Sequence, residues 1–297
     1  MRKITLLTAA LAISLVAMAQ AMSGTYKVGT TEVSPNFTSL SAAVAALNTN
    51  GVSGDVILEI TSDITESANI GLGVNTNGFG ITIRPDADVD RTITFTSTVD
   101  NPGPSGHFVI GNPNPTVTWT DVLTIATNNV TIDGFAVEST TKRLKFTNAS
   151  ASTANARLIT VVGACQNTII KNCIFENKST SATSPVCIVA VARQSAGIDV
   201  SPINLTIENN TLSAISSVVG MGMRITNSGT PTSRLTGFIF KNNTITAKRR
   251  LLEINYTTGA EISGNSFTTE QTGTPGTISY GLWTSTGVTG SVKIYSN

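Results

Sequence analysis

Two stretches decide the fold: Leu205-Thr206-Ile207-Glu208-Asn209-Asn210-Thr211-Leu212 and Phe238-Ile239-Phe240-Lys241-Asn242-Asn243-Thr244-Ile245. They are the same sentence written twice, an apolar anchor (Ile207, Phe240), a charge, two Asn, and an apolar residue five after the anchor. The pattern recurs at Val130-Thr131-Ile132-Asp133-Gly134-Phe135-Ala136-Val137 and at Thr168-Ile169-Ile170-Lys171-Asn172-Cys173-Ile174-Phe175. It returns at Ala260-Glu261-Ile262-Ser263-Gly264-Asn265-Ser266-Phe267 and, cut short, at Val292-Lys293-Ile294-Tyr295-Ser296-Asn297. The anchors 132, 170, 207, 240, 262 and 294 lie 38, 37, 33, 22 and 32 residues apart. A constant motif at variable spacing means constant strands joined by variable loops, the signature of a solenoid.

Each column has a physical meaning. The anchors and the residues five later (Val137, Phe175, Leu212, Ile245, Phe267) are apolar and are expected to face a shared core. Two after the anchor stand Gly134, Asn172, Asn209, Asn242, Gly264 and Ser296. Gly and Asn enter the left-handed region most cheaply, so the chain should bend there. The next column ends Asn210, Asn243, Asn265, Asn297, and amides stacked about 4.8 Å apart hydrogen-bond along the stack. A second column, Ile159-Thr160-Val161, Ile188-Val189-Ala190, Met223-Arg224-Ile225, Leu252-Glu253-Ile254 and Leu282-Trp283-Thr284, places apolar residues on either side of an outward middle position in most rungs. Each coil therefore supplies at least two strands to separate parallel sheets.

Outward from these coils, one helix is legible. Leu40, Val44 and Leu47 recur at helical spacing, with Thr38 or Ser39 as N-cap and Asn50-Gly51 as the stop, predicting a helix over about 38–48. It would cover the open end of the core. The sequence begins with a positive Arg2-Lys3, an apolar Ile4 to Val16, and small residues up to Ala21, which together describe a cleavable signal peptide over 1–21. Residues 22–297 form the predicted β-helix domain, exported to a secreted or cell-surface location. The final copy stops on Asn297 without its second inward residue, so further C-terminal coils or an anchoring domain are expected in a longer chain.

The stretch Phe37-Thr38-Ser39-Leu40 to Leu47, followed by Gly51-Val52-Ser53-Gly54-Asp55-Val56, resembles the opening of secreted bacterial pectin-lyase-like proteins, and the Ile-x-Asn-Asn-x-Ile motif resembles their coil repeat. The resemblance covers nearly the whole predicted mature chain. It implies an all-β, right-handed parallel β-helix with a short N-terminal capping α-helix. It does not choose a chemistry, because such proteins include pectate lyases, polygalacturonases, pectin methylesterases, and binding or surface proteins.

Composition narrows the function classes. Charged residues make up 12% of the chain and the formal net charge is +1, which points to neither nucleic acid nor an anionic membrane, and no apolar run is long enough to span a bilayer. Polyuronate hydrolysis needs paired carboxylates, but Asp133 is followed by Gly134 and Phe135, and Asp199 is the only later Asp. The sole histidine, His107, is expected in a loop, and Cys165, Cys173 and Cys187 as small core fillers. Asp86, Asp88 and Asp90 form a candidate Ca²⁺ site or a solvated turn; no other cofactor is expected. Arg224, Glu253 and Trp283, outward on three consecutive coils, form a candidate glycan site, or an Arg–Glu surface pair beside a Trp packed under a loop. The alternating Asp133, Lys171, Glu208, Lys241 are expected to be cross-strand ion pairs that hold register. The pattern favours a non-catalytic, adhesin-like module that binds polysaccharide or another surface. The alternatives are a polysaccharide lyase or glycoside hydrolase acting on polyuronates, or the structural stalk of a larger surface protein. Intact-mass measurement of exported protein should give a chain beginning at or near Met22; an unprocessed Met1 would overturn the signal-peptide assignment.

Overall fold

The computed structural model describes residues 20–98, 106–115, 124–149, 156–180, 185–195, 198–228, 233–270, 280–284 and 287–297. The bulk of the expected signal segment, residues 1–19, lies outside them. Among the described residues, strands stack into three parallel sheets and there is one α-helix, Leu40–Asn50. The first sheet runs through Met22–Val28, Val52–Ile60, Ile81–Pro85, Val130–Asp133, Ile169–Lys171, Thr206–Glu208, Leu235–Lys241, Thr257–Ser263 and Thr289–Tyr295. The second sheet carries the column of residues five after the anchor, from Ile64–Glu66 to Ser266–Thr269. The third runs from Ile70–Leu72 to Tyr280–Thr284 and carries the Arg224, Glu253, Trp283 column. Consecutive strands of every sheet come from consecutive coils, which is the architecture of a parallel β-helix.

The register is the one that the repeat demands. Ile132, Ile170, Ile207, Phe240, Ile262 and Ile294 are successive Cα partners. The first five are fully buried, whereas Ile294, on the last strand, is 53% exposed. Phe175, Leu212 and Ile245 stack in the same way in the second sheet, and Phe267 packs against the core. Val137 departs from the pattern and is exposed. Residues 134–143 leave the coil and return to their starting point, with the Arg143 N–H donating to the Gly134 carbonyl at 2.7 Å. The strand resumes at Leu144, and Phe146 takes the inward slot above Phe175, with ring centroids 5.3 Å apart.

The bend column behaves as expected at five of six positions: Asn172, Asn209, Asn242, Gly264 and Ser296 all have φ between 52° and 65°. Gly134 does not. A Cβ there would lie 1.9 Å from the Asn172 carbonyl oxygen, so Gly is required by close approach of the next coil rather than by a left-handed φ.

The amide stack is continuous. Asn210 Nδ2 donates to Asn243 Oδ1 at 3.2 Å, Asn243 to Asn265 at 3.0 Å, and Asn265 to Asn297 at 2.9 Å. Each acceptor oxygen also receives the backbone N–H of the coil before, as in Asn210 N to Asn243 Oδ1 at 2.9 Å, so the side chains close the bend as well as linking the coils. A second ladder, missed in the sequence, joins Asn129, Asn167 and Asn204, each at positive φ. The outward charges pair across rungs, Asp133 with Lys171 and Glu208 with Lys241, both at 3.1 Å.

The helix closes the first coil. Ser39 is the N-cap, its Oγ accepting from Ala42 N at 3.1 Å, and Gly51 ends the helix at φ 70°. Buried Glu66, from the following coil, accepts from Leu40 N at 2.7 Å and Ser41 N at 3.2 Å, placing a carboxylate at the positive helix end. Leu40, Ala43, Val44 and Leu47 face the core.

The Asn243→Ala variant removes the acceptor of the buried Asn210 N–H and the donor to the Ile207 carbonyl. It should lose about 2–4 kcal/mol in denaturant unfolding, against about 1 kcal/mol or less for Asn204→Ala on the exposed ladder. Equal effects would show that the buried ladder has no special weight.

Candidate functional site

The outward column of the third sheet changes character along the axis. It reads Thr160, Val189, Arg224, Glu253, Trp283, each the register partner of the next. At the early coils, Val109, Val162, Val186, Val189, Val191 and Met221 form a second apolar cluster, buried although separate from the main core. At the last three coils the column becomes charged and aromatic.

Glu253 is the centre of that patch. It is only 2% exposed, and two donors hold it, Arg250 Nη1 on Oε2 at 2.6 Å and Asn255 Nδ2 on Oε1 at 2.9 Å, with the Arg224 guanidinium as a further cation 3.3 Å from Oε2. A carboxylate removed from water requires this compensation, and two guanidinium groups with one amide supply it. Arg250 continues over the Trp283 ring, with its guanidinium carbon 4.9 Å from the centroid, and Tyr280 meets Trp283 edge-on at 4.4 Å. Cation–π and edge contacts of this kind fix the indole in one orientation while it stays partly exposed. Arg224, Glu253 and Trp283 stand on consecutive rungs, and the Arg224–Glu253 ion pair forms with its carboxylate buried rather than at the surface.

Arg250, Tyr280 and Asn255 were not visible in the sequence as members. Strict alternation puts residues three apart on opposite faces of a strand, which would separate Arg250 from Glu253. In the folded chain Leu251 and Leu252 are both fully buried in the core, so alternation breaks and Arg250 emerges beside Glu253.

The other candidates take different forms. Asp86 pairs with Arg91 at 2.8 Å, while Asp88 and Asp90 both bind Arg143, at 2.7 and 2.9 Å. The Arg143 contact, together with a hydrogen bond from Ser139 at 2.8 Å, holds the Asp88 carboxyl below its ordinary range. Arg143 sits where a cation would have to sit, and among the described residues no three His, Cys, Asp or Glu side chains are gathered for a metal. The residues present do not fit Ca²⁺. The three cysteines are fully buried and unpaired, and burial pushes the Cys165 and Cys187 thiols up to about 12.

His107 lies outside any strand, in a bend immediately before Phe108–Ile110, and is buried there, 2% exposed. Its ring stacks on Phe95 at 5.1 Å, and Nδ1 lies 3.0 Å from Asn69 Oδ1. A Phe-His pair turned inward was hidden because the neighbouring Ser, Gly and Pro read as loop.

Comparison with known proteins adds nothing to the fold read from the three sheets. No family model matches the chain, and no curated protein matches its sequence. Among solved structures it is similar to a rhamnogalacturonan lyase at 11% identity and a TM-score of 0.37, over 83% of this chain and 74% of that one. It is also similar to the Dettilon tailspike protein at 13% identity and a TM-score of 0.23, over 82% of this chain and 55% of that one. The chain is a parallel β-helix protein.

Burial holds the His107 pKa down at about 4, against an ordinary value of 6.5. The folded state therefore excludes a proton that the unfolded chain accepts. The stability from a neutral His107 is complete above pH 6.5 and is lost as pH falls through 6.5 towards about 4. His107→Phe keeps a ring on Phe95 and removes the titration. Relative to this variant, the native chain should lose on the order of 1–3 kcal/mol between pH 7 and pH 4 in urea unfolding. Parallel pH profiles would contradict the assignment.

Proposed function

We propose that this protein is an exported β-helix module that binds polysaccharide or another glycan-bearing surface without turning it over, through the outer face of its third sheet around Trp283. The observation that carries this reading is a linked set of side chains across three consecutive rungs: Arg224 and Arg250 pair with the buried Glu253 carboxylate, Arg250 lies over the Trp283 ring, and Tyr280 meets that ring edge-on. A fixed, partly exposed indole offers an apolar surface to a sugar ring, and adjacent guanidinium groups donate to its hydroxyl or carboxylate oxygens. Rungs spaced about 4.8 Å apart make the patch extend along the axis, as an extended chain ligand requires.

Binding without turnover is favoured by the state of Glu253. General acid–base cleavage of glycosidic bonds uses two carboxyl groups facing the scissile bond. Among the described residues of this column Glu253 is the only acid, and its oxygens are already held by Arg224, Arg250 and Asn255. Export rests on the sequence of residues 1–21.

A glycan array with the native chain and with Trp283→Ala, run beside assays of polygalacturonate and alginate for new unsaturated or reducing ends, tests both halves. The expected result is array binding that falls about tenfold or more in Trp283→Ala, a loss of about 1.4 kcal/mol, with no new ends above a heat-killed control. Release of new ends would establish the lyase or hydrolase alternative, and array binding indifferent to Trp283 would remove the patch from the function.

A further inference from the structure

We propose a second, separate saccharide site on the outer face of the first sheet: a trough that takes a neutral, hydroxyl-rich ring between Glu261 and Lys293. It does not rest on the Trp283 patch, which belongs to a different sheet.

The trough exists because a ladder stops. The exposed amides Asn129, Asn167 and Asn204 are linked at 3.0 Å per step, and the next rungs at that position carry Gly237 and Gly259. The positive φ persists, 54° at Asn204, 68° at Gly237 and 66° at Gly259, so the backbone still bends as it does under the amides. Only the side chains are missing. Gly290, at φ 72°, lies against Gly259 on the last rung, where the register shifts. The result is a cavity of about 420 Å³, lined by Asn204, Thr206, Ile239, Thr258, Glu261 and Lys293 among others. That volume is within the range of small-molecule sites.

The charges at the trough differ from those elsewhere on the sheet. Where opposite charges face each other on adjacent rungs, they bond: Glu59 to Arg84 at 2.8 Å, Asp133 to Lys171 and Glu208 to Lys241 at 3.1 Å. Glu261 and Lys293 are register partners in the same way, yet among the described residues they form no ion pair. Glu261 instead accepts the Tyr295 hydroxyl, and Lys293 is exposed. The Asn204 Nδ2 is used by Asn167, which leaves its Oδ1 at the open end of the ladder facing Gly237. An acceptor pair, a cationic donor and the Thr206 and Thr258 hydroxyls then surround the half-buried Ile239. The two charges cancel, so the site does not favour a charged ligand. A carboxylate and an ammonium one rung apart match adjacent ring hydroxyls, which donate to one and accept from the other.

Saturation-transfer NMR and calorimetry with the methyl glycosides of mannose, galactose, glucose and rhamnose, against glucuronate as the charged probe, test the site. At least one neutral glycoside should bind the native chain more tightly than glucuronate does. Its affinity should fall at least about tenfold in the double variant Glu261→Gln, Lys293→Met, and stay unchanged in Trp283→Ala. Gly237→Asn provides an independent check. It extends the amide ladder into the trough at a left-handed φ close to those of the three earlier Asn, once the Asn204 amide, whose Oδ1 lies 2.3 Å from the position of the new Cβ, turns aside, and it should abolish binding with both charges intact. No binding by any neutral glycoside, a preference for glucuronate, or binding that survives both sets of substitutions would each overturn the site. Loss in Trp283→Ala alone would assign the ligand to the other patch and equally overturn it.

Discussion

In-register stacking of one coil on the next is the constraint from which everything else in this molecule follows. A parallel strand satisfies its backbone only through its two neighbours, so every coil must repeat the height, bend and inward residues of the coil beneath. The ladder of buried Asn210, Asn243 and Asn265, continued by the exposed Asn297, enforces this at one corner of the coil. Each amide closes its neighbour's bend and bonds to the next amide, so a coil out of register would strand buried donors on both sides. The Phe146–Phe175 stack and the columns of Ile inside do the same work with apolar area, contributing about 1.5–3 kcal/mol per fully buried large side chain.

The same constraint explains where function can reside. Inward positions are filled, and the bends after the anchors are occupied by Asn, Gly or Ser. Only outward positions and the excursions between coils are free to vary. Along the first sheet one outward column is spent on rung-to-rung ion pairs as far as Glu208 and Lys241, and in the neighbouring outward column Glu261 and Lys293 face each other without an ion pair beside a trough. Along the third sheet they are apolar and covered at the early coils, then become Arg224, Glu253 and Trp283. Both candidate surfaces thus lie at the same C-terminal coils, on different sheets of one solenoid.

The helical cap shows how the coil principle is terminated at the other end. Parallel coils present a raw edge of apolar core, and Leu40–Asn50 covers it with Leu40, Ala43, Val44 and Leu47. Buried Glu66 ties the helix N-terminus to a neighbouring coil, and Asn48, which donates to the Gly71 carbonyl at 2.6 Å and accepts from Gly73 N at 2.9 Å, ties its other end to the third sheet. The cap is bonded at both ends and not merely laid on.

The sequence by itself determined the repeat, the inward columns, the Asn bends and ladder, the cap helix with an N-cap at Thr38 or Ser39, and the trio of Arg224, Glu253 and Trp283 on consecutive rungs. These are all periodic quantities, and a solenoid writes its period directly into the chain. Tertiary structure alone decided what interrupts the period. Phe146 replaces Val137 in the core because an excursion of unknown length could not be told from the strand that follows it. Arg250 joins Glu253 because two adjacent leucines turn inward, and Arg143 meets Asp88 and Asp90 across 53 to 55 residues of sequence. His107 is buried because its partner, Phe95, comes from another strand of the same coil region. Which side chains share a surface depends on how far each excursion travels before the chain returns, and the alternation of residues along one strand carries no information about that.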